Sequence, residues 1–304
     1  MRATFLWLTW VGRGSLVATI AISAFAVSAF GASSTVLFPK PLHLVRTIED
    51  PLARGTSTVH EYCVGNQVIT VNGSRVAVAD YDKQQLTEID REAGTYSVTP
   101  FEELAKANAN IRGGGGVATS KASKAPKSDS AAGAVKPETW KATQLGVRGA
   151  AGGRSVDAWQ LVRGDARDKT TIEIGVDRRI ALSRDAVEVL VGASYPNTRR
   201  EEHDALLRAA SGPAGTTQRQ PMANSVGNSA PSAQYGLPVE QILTFESAGE
   251  RVEVRNTVRE VNEELPPANL LIIPPGSQLV ESRTVRMARE LRELDELPGQ
   301  SPRP

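Results

Sequence analysis

One cysteine, Cys63, serves a chain of 304 residues. No internal disulfide can therefore staple the fold, and a lone thiol outside the cytoplasm must be buried or pair with another molecule. It falls in the strand-like stretch Val59-His60-Glu61-Tyr62-Cys63, where burial is expected. Histidine is nearly as scarce: His43, His60 and His203 are all there is. His60 precedes Cys63 by three positions, which on a strand puts the two on opposite faces, a poor arrangement for sharing a metal. His43 sits in a Pro-flanked lead-in and His203 on a charged helix face, and both are expected at the surface. Aromatics make up 5% of the chain. Phe5, Trp7, Trp10 and Phe25 crowd into its first thirty residues, so the remainder is too thinly supplied for base- or sugar-stacking platforms. Charge of one sign is missing as well: 35 basic residues face 34 acidic ones. A nucleic-acid partner, which needs a basic face to release counterions, is not expected.

Catalytic patterns are equally absent. Gly113 to Gly116 has no preceding strand and no Gly-Lys-Ser/Thr signature, so it is not a phosphate loop. Asp80 and Asp82 sit in a turn that favours aspartate for its local hydrogen bonds, without any general acid–base role. The run Arg199-Arg200-Glu201-Glu202-His203-Asp204 reads as a solvated helix face. The expectation is a protein with no catalytic residue, no metal site and no cofactor.

What is present starts with an export signal. Arg2 and Arg13 give a positive start, Leu16 to Val27 an apolar run, and Val27-Ser28-Ala29 a small-residue exit, with cleavage expected after Ala29 so that the mature chain begins at Phe30. The alternative is a retained membrane anchor, because Ser15 to Ala32 carries no charge over about 18 residues. Either way the remainder is expected in the periplasm or cell envelope. No lipobox occurs, since Cys63 lies far downstream. Residues 30–57 read as a lead-in, and 58–276 as a single β-rich domain. Two polar, low-complexity inserts at 111–138 and 211–235 interrupt it, and their composition predicts disorder.

Within that domain Val68–Val71 and Val76–Ala79 flank Asn72-Gly73-Ser74, a hairpin of type I′ character. A turn over Tyr81–Gln84, a strand over Gln85–Asp90 and a strand over Tyr96–Val98 complete a four-stranded meander. A helix follows to about Ala109, with Thr99 as cap and Pro100 in the first turn. Strands are predicted over 156–161 and 170–176, the second placing Ile172, Ile174 and Val176 on one face. Helices are predicted from Arg184 and over 197–210. A long hairpin joins Val239–Glu246 to Arg251–Val261, with Val252, Val254 and Val258 sharing a face. Leu270–Ile273 reads as a short strand between prolines. A C-terminal helix over 283–297 shows Met287, Leu291 and Leu294 as its apolar stripe. The fold class is α+β, mostly antiparallel β, with the sheet an incomplete curled barrel, or half-barrel, packed on helices.

The Val78-Ala79-Asp80-Tyr81-Asp82 turn, Lys83 to Asp90, Tyr96, Gly236-Leu237-Pro238 before the long hairpin and Ile272-Ile273-Pro274-Pro275-Gly276 at the end form a pattern. It resembles periplasmic proteins related to the outer-membrane lipoprotein carriers, and exported bacterial proteins of unknown function with the same ending. The resemblance covers 58–110 and 139–276; the two inserts and the C-terminal helix depart from it. It implies a half-barrel whose concave face holds an acyl chain. The lining expected from the strand pattern is Trp159, Leu161, Ile172, Ile174, Leu243, Phe245, Val252 and Val254. Against it stands the plainer reading that these residues form the core under a covering helix. A lipid or lipoprotein is the expected partner. The alternative is a sensor or scaffold that binds an envelope protein through the sheet and C-terminal helix; a hydrolase comes third.

Overall fold

Apolar stretches interrupted by tight turns lay down twelve strands among the described residues, and these hydrogen-bond into one sheet. The computed structural model describes residues 36–51, 55–113, 140–165, 168–194, 200–211 and 235–295. The expected cleavage point after Ala29 and nearly all of both inserts lie outside them. The strands are β1 (Phe38–Asp50), β2 (Gly55–Gly65), β3 (Gln67–Asn72), β4 (Arg75–Asp80), β5 (Gln85–Asp90), β6 (Thr95–Pro100), β7 (Lys141–Ala150), β8 (Arg154–Gly164), β9 (Asp168–Leu182), β10 (Tyr235–Ser247), β11 (Glu250–Asn262) and β12 (Gln278–Leu279). Four α-helices accompany them among the described residues: α1 (Phe101–Gly113), α2 (Arg184–Ser194), α3 (Arg200–Ser211) and α4 (Arg283–Asp295).

Strand order is β12-β6-β5-β4-β3-β2-β1-β11-β10-β9-β8-β7. Two antiparallel meanders meet where β1 pairs with β11, and only the short β12 runs parallel to its neighbour, β6. The sheet is curled and not closed into a barrel, so the α+β half-barrel packed on helices is the fold this chain adopts.

Turn chemistry explains the registers. Asn72 pairs with Arg75, leaving Gly73-Ser74 as a two-residue loop. Positive φ falls on Gly73 alone, at 58°, the pattern of a II′ turn in place of the expected I′. The long β10–β11 hairpin turns on Ala248 and Gly249, with φ of 52° and 86°; these are the two positive angles of a I′ turn. Gly236 has a different reason to be glycine. A Cβ there would stand 2.5 Å from Val176 Cγ1, where β9 bulges against β10.

One face of the sheet carries the helices. Leu44, Cys63, Val68, Ala77, Ala79 and Leu86 pack against Phe101 and Leu104 of α1 and Val189 and Leu190 of α2. Further along, Leu161, Ile172, Ile174 and Val176 pack against Val187 and Val191 of α2 and Leu206 and Ala210 of α3. Arg178, paired with Asp157, also donates to the carbonyls of Ala209 and Ala210, which ties the end of α3 to β9. The opposite face holds a smaller cluster of Tyr62, Ile69, Val76, Val78 and Ile89, against which Leu270 packs.

The structure revises several sequence expectations. The described part of the lead-in is mostly β1, a strand of 13 residues, in which Leu42, His43 and Leu44 are all buried. Burial on both faces removes the period of two that a half-buried strand shows. β7 had no sequence signal because most of its residues are exposed at the sheet edge. Leu270–Ile273 is no strand: Ala268–Leu271 forms a 3₁₀ turn, since prolines on both sides leave it no partner to pair with. Thr99 and Pro100 end β6, opposite Leu86 and Gln85, and do not cap α1; the first α1 N–H, on Phe101, goes to the Gln84 carbonyl. On α4 it is Thr284 and Ala288 that are buried, while Met287 is 41% exposed. Leu294 lies outside the described side chains.

Candidate functional site

β8, β9, β10 and β11 bring all eight candidate lining residues onto the helix-covered face. Pairing runs Leu161–Ile172–Leu243–Val254 across the four strands, with Trp159 opposite Ile174 and Phe245 opposite Val252. Their surroundings differ. Leu161, Ile172 and Ile174 are sealed beneath α2 and α3, so these three are core. Trp159 and Leu243 are half-buried against the same cluster. Phe245 is 45% exposed, and Val252 and Val254 are half-buried beside it. An apolar strip therefore runs out from under the helices toward the hairpin turn. It is contiguous with the core, because alternate residues of one strand share a face.

The next row along the same face mixes apolar and polar side chains. Trp159, Ile174, Gln241, Asn256 and Ile48 stand side by side from β8 to β1. Arg46, two residues before Ile48, points the same way. Asn256 donates to Gln241 Oε1 at 3.3 Å, and Arg46 Nε donates to Glu61 Oε2 at 2.6 Å. That leaves Trp159 Nε1, Gln241 Nε2, Asn256 Oδ1 and both Arg46 Nη atoms buried without a partner. Four donor atoms and one acceptor are orphaned on one face. Each such group costs about 1–3 kcal/mol of desolvation. Of these residues only Trp159 was among the sequence candidates, and there for its apolar ring. A signal existed: Gln241 interrupts Val239 and Leu243, and Asn256 interrupts Val254 and Val258, at inward positions of apolar strands.

His43 and His60 form a separate group on the opposite face. His43 lies directly across from Tyr62 in the β1–β2 ladder, their rings stacked 4.1 Å apart at 9°. His43 Nδ1 meets Glu264 Oε2 at 2.9 Å and His43 Nε2 meets His60 Nδ1 at 3.1 Å. The expected surface position of His43 is corrected: the residue is 6% exposed, because Tyr62 and the chain after β11 cover it. Ring centroids of His43 and His60 are 5.3 Å apart, close to the nitrogen gap plus one ring radius on each side. The two nitrogens thus point straight at one another, the geometry of an N–H···N bond and not of two ligands converging on an ion. His203 belongs to α3, but its side chain is outside the described set.

Cys63 is fully buried on the helix-covered face, as its strand context predicts. Burial pushes its thiol well above the usual range, Glu61 adds to the rise, and Arg46 opposes it. Asp80 accepts hydrogen bonds from Gln67 and from the Lys83 N–H, and Asp82 from Asn66, so both aspartates are engaged in their turn. Among the described residues no three His, Cys, Asp or Glu side chains are grouped to hold a metal. No described helix is long and apolar enough to cross a membrane; the apolar run at 16–27 lies outside the described residues.

No known protein-family model matches this chain, and no curated protein matches it either. Among solved structures, one titled "Structure of PNGF-II in C2 space group" aligns at a TM-score of 0.34 and 7% identity. The alignment covers 82% of this chain and 33% of that one, so this chain spans about a third of its length. A likeness so shallow lends this chain neither a fold nor an activity.

Proposed function

We propose that this is an exported, non-enzymatic envelope protein that binds an apolar ligand, a lipid or acyl chain, on the helix-covered face of its curled sheet. The carrying observation is the apolar strip of Leu243, Phe245, Val252 and Val254, which continues the core out from beneath α2 and α3. The adjoining orphaned donors of Trp159, Gln241 and Arg46 suit the carbonyl or carboxyl oxygens at the end of an acyl chain. The resemblance to lipoprotein carriers agrees with this reading. Mass spectrometry of solvent extracts from gently purified protein tests it: stoichiometric acyl species are expected, and Phe245→Asp should reduce them. Protein that purifies empty from lipid-rich envelopes, and takes up no fatty acid afterwards, overturns the reading.

A second reading, an envelope scaffold, has its own support. The segment between β11 and α4 crosses the outer face and leaves Leu265, Leu271, Ile272 and Leu279 between 45% and 67% exposed. In-envelope cross-linking from position 272 tests it; a single protein partner is expected, and lipid-only adducts overturn it.

A further inference from the structure

A cavity of about 330 Å³ opens on the helix-covered face, at the end of the first meander where the β3–β4 and β5–β6 turns lie. It is remote from the apolar strip and independent of the function proposed above. Two rows of the sheet make its floor: Arg75–Asp90–Thr95 and Ala77–Glu88–Ser97. Small side chains at Ala77 and Ser97 leave the space. The start of α4 overhangs it with Arg283 and Arg286, and Val280 gives an apolar wall.

The hydrogen-bonding capacity left over in this cavity is lopsided. Its carboxylates are engaged. Asp90 accepts from the Ala93 N–H at 3.0 Å and from Arg75 Nε at 2.9 Å. The Ala93 bond comes first in lowering its pKa, against the opposing effect of burial, and Arg75 adds to it. Glu88 accepts from Ser97 at 3.1 Å, and Glu281 is held by Arg289 at 3.0 Å. Arg75 and Ser97 donate to these carboxylates; the remaining donors are not so engaged. Asn72 Nδ2 is buried with no acceptor. Arg283 has no hydrogen bond or ion pair among the described residues, and Arg286 reaches Glu290 only at 4.0 Å. Unmet donors around a cavity with an alanine floor and a valine wall call for an anionic oxygen on an apolar body. A cavity of this volume lies at the small end of the range for ligand sites, which suits a small molecule.

We propose that this cavity binds a small organic carboxylate, its oxygens between Asn72 and Arg283 and its apolar part over Ala77 and Val280. Equilibrium dialysis of the purified full chain with radiolabelled benzoate is the test. Neutral benzamide, the same size, and inorganic phosphate serve as competitors. Saturable benzoate binding is expected, with benzamide roughly tenfold weaker and phosphate a poorer competitor than unlabelled benzoate. Arg283→Gln should weaken benzoate roughly tenfold and erase its advantage over benzamide. Arg283 is exposed and has no partner among the described residues, so the variant keeps its fold. Arg292→Gln, an equal loss of charge on the same helix outside the cavity, should leave benzoate binding unchanged. Absence of saturable benzoate binding overturns the proposal, as does equal binding of benzamide, stronger competition by phosphate, or an equal effect of the two arginine variants.

Discussion

His43 Nε2 and His60 Nδ1 face one another at 3.1 Å across the β1–β2 ladder, while the other nitrogen of His43 is held by Glu264 from 221 positions away. One imidazole thus clamps the end of β11 and the crossing segment onto the outer face. Arg91 holds the same segment further on, through the Asn269 carbonyl at 2.6 Å, before β12 joins β6. What holds this crossing together is a set of long-range polar contacts around Leu270.

Removing the clamp should therefore cost stability and not chemistry. His43→Ala deletes two hydrogen bonds and the Tyr62 stack, and a loss of about 1–3 kcal/mol is expected. Urea titration measures it. Whatever the biological assay, His43→Ala and His60→Ala should keep full function at matched folded concentration. A folded but inactive histidine variant would show that the site has been misplaced.

Cys63 should be silent to thiol reagents in the native protein. It has no exposed surface, and burial first, then Glu61, raises its pKa despite Arg46. A raised folded pKa means that the stability held by the neutral thiol is complete below the unfolded value of about 8.5 and is lost as pH rises beyond it. A native-state labelling rate no faster than global unfolding is expected; rapid labelling under native conditions defeats the prediction.

Asp177 carries the opposite sign. It is fully buried in β9; burial raises its pKa, but hydrogen bonds from Arg179 and Arg154 outweigh that and hold it below the usual carboxylate range. Its stabilising effect is present above the unfolded value of about 3.9 and disappears as pH falls through the lower folded value. Asp177→Asn should lose roughly 3 kcal/mol at neutral pH and flatten the acid limb of the stability profile. Chemical denaturation between pH 7 and pH 3 reads both effects, and an unchanged acid limb would contradict the assignment.

How much of this could be read in the sequence depended on how sharply each element is bounded. β3, β4 and β5 end in tight turns, so their predicted limits match the observed strands to within a residue or so, although β3 and β4 are buried on both faces. The β10–β11 hairpin was legible for the same reason. β1 was not, because Pro39 and Pro41 punctuate it and His43 and Arg46 are buried at positions where an apolar residue marks a strand. Leu270–Ile273 misled in the opposite direction: four apolar residues in a row read as a strand, yet three of them point at solvent. For the site, the sequence placed eight apolar side chains on one face but gave no hint of where α2 and α3 would lie. Which of the eight are core and which form the open strip follows only from that packing. Gln241, Asn256 and Arg46 escaped notice because a polar residue inside a strand ordinarily marks its wet side, and only the register shows that these three face inward.

The Arg46–Glu61 pair makes the sharpest claim about that inward face. Both side chains are nearly sealed, at 4% and 5% exposure, and the pair meets in one 2.6 Å bond with both Nη atoms unmatched. A buried ion pair with incomplete hydrogen bonding is a poor source of stability, since desolvation offsets most of the attraction. Glu61→Gln removes the charge but leaves the guanidinium buried, and should cost roughly 3–5 kcal/mol. Replacing both partners together, Arg46→Met with Glu61→Leu, removes the desolvated charges and should restore stability to within about 1 kcal/mol of the parent or above it. If the orphaned Nη atoms exist to meet a ligand oxygen, the double variant should fold well yet lose acyl ligand in the same extraction experiment. Stability that falls additively in the double variant, with ligand retained, would make the pair an ordinary structural bridge and detach Arg46 from the proposed function.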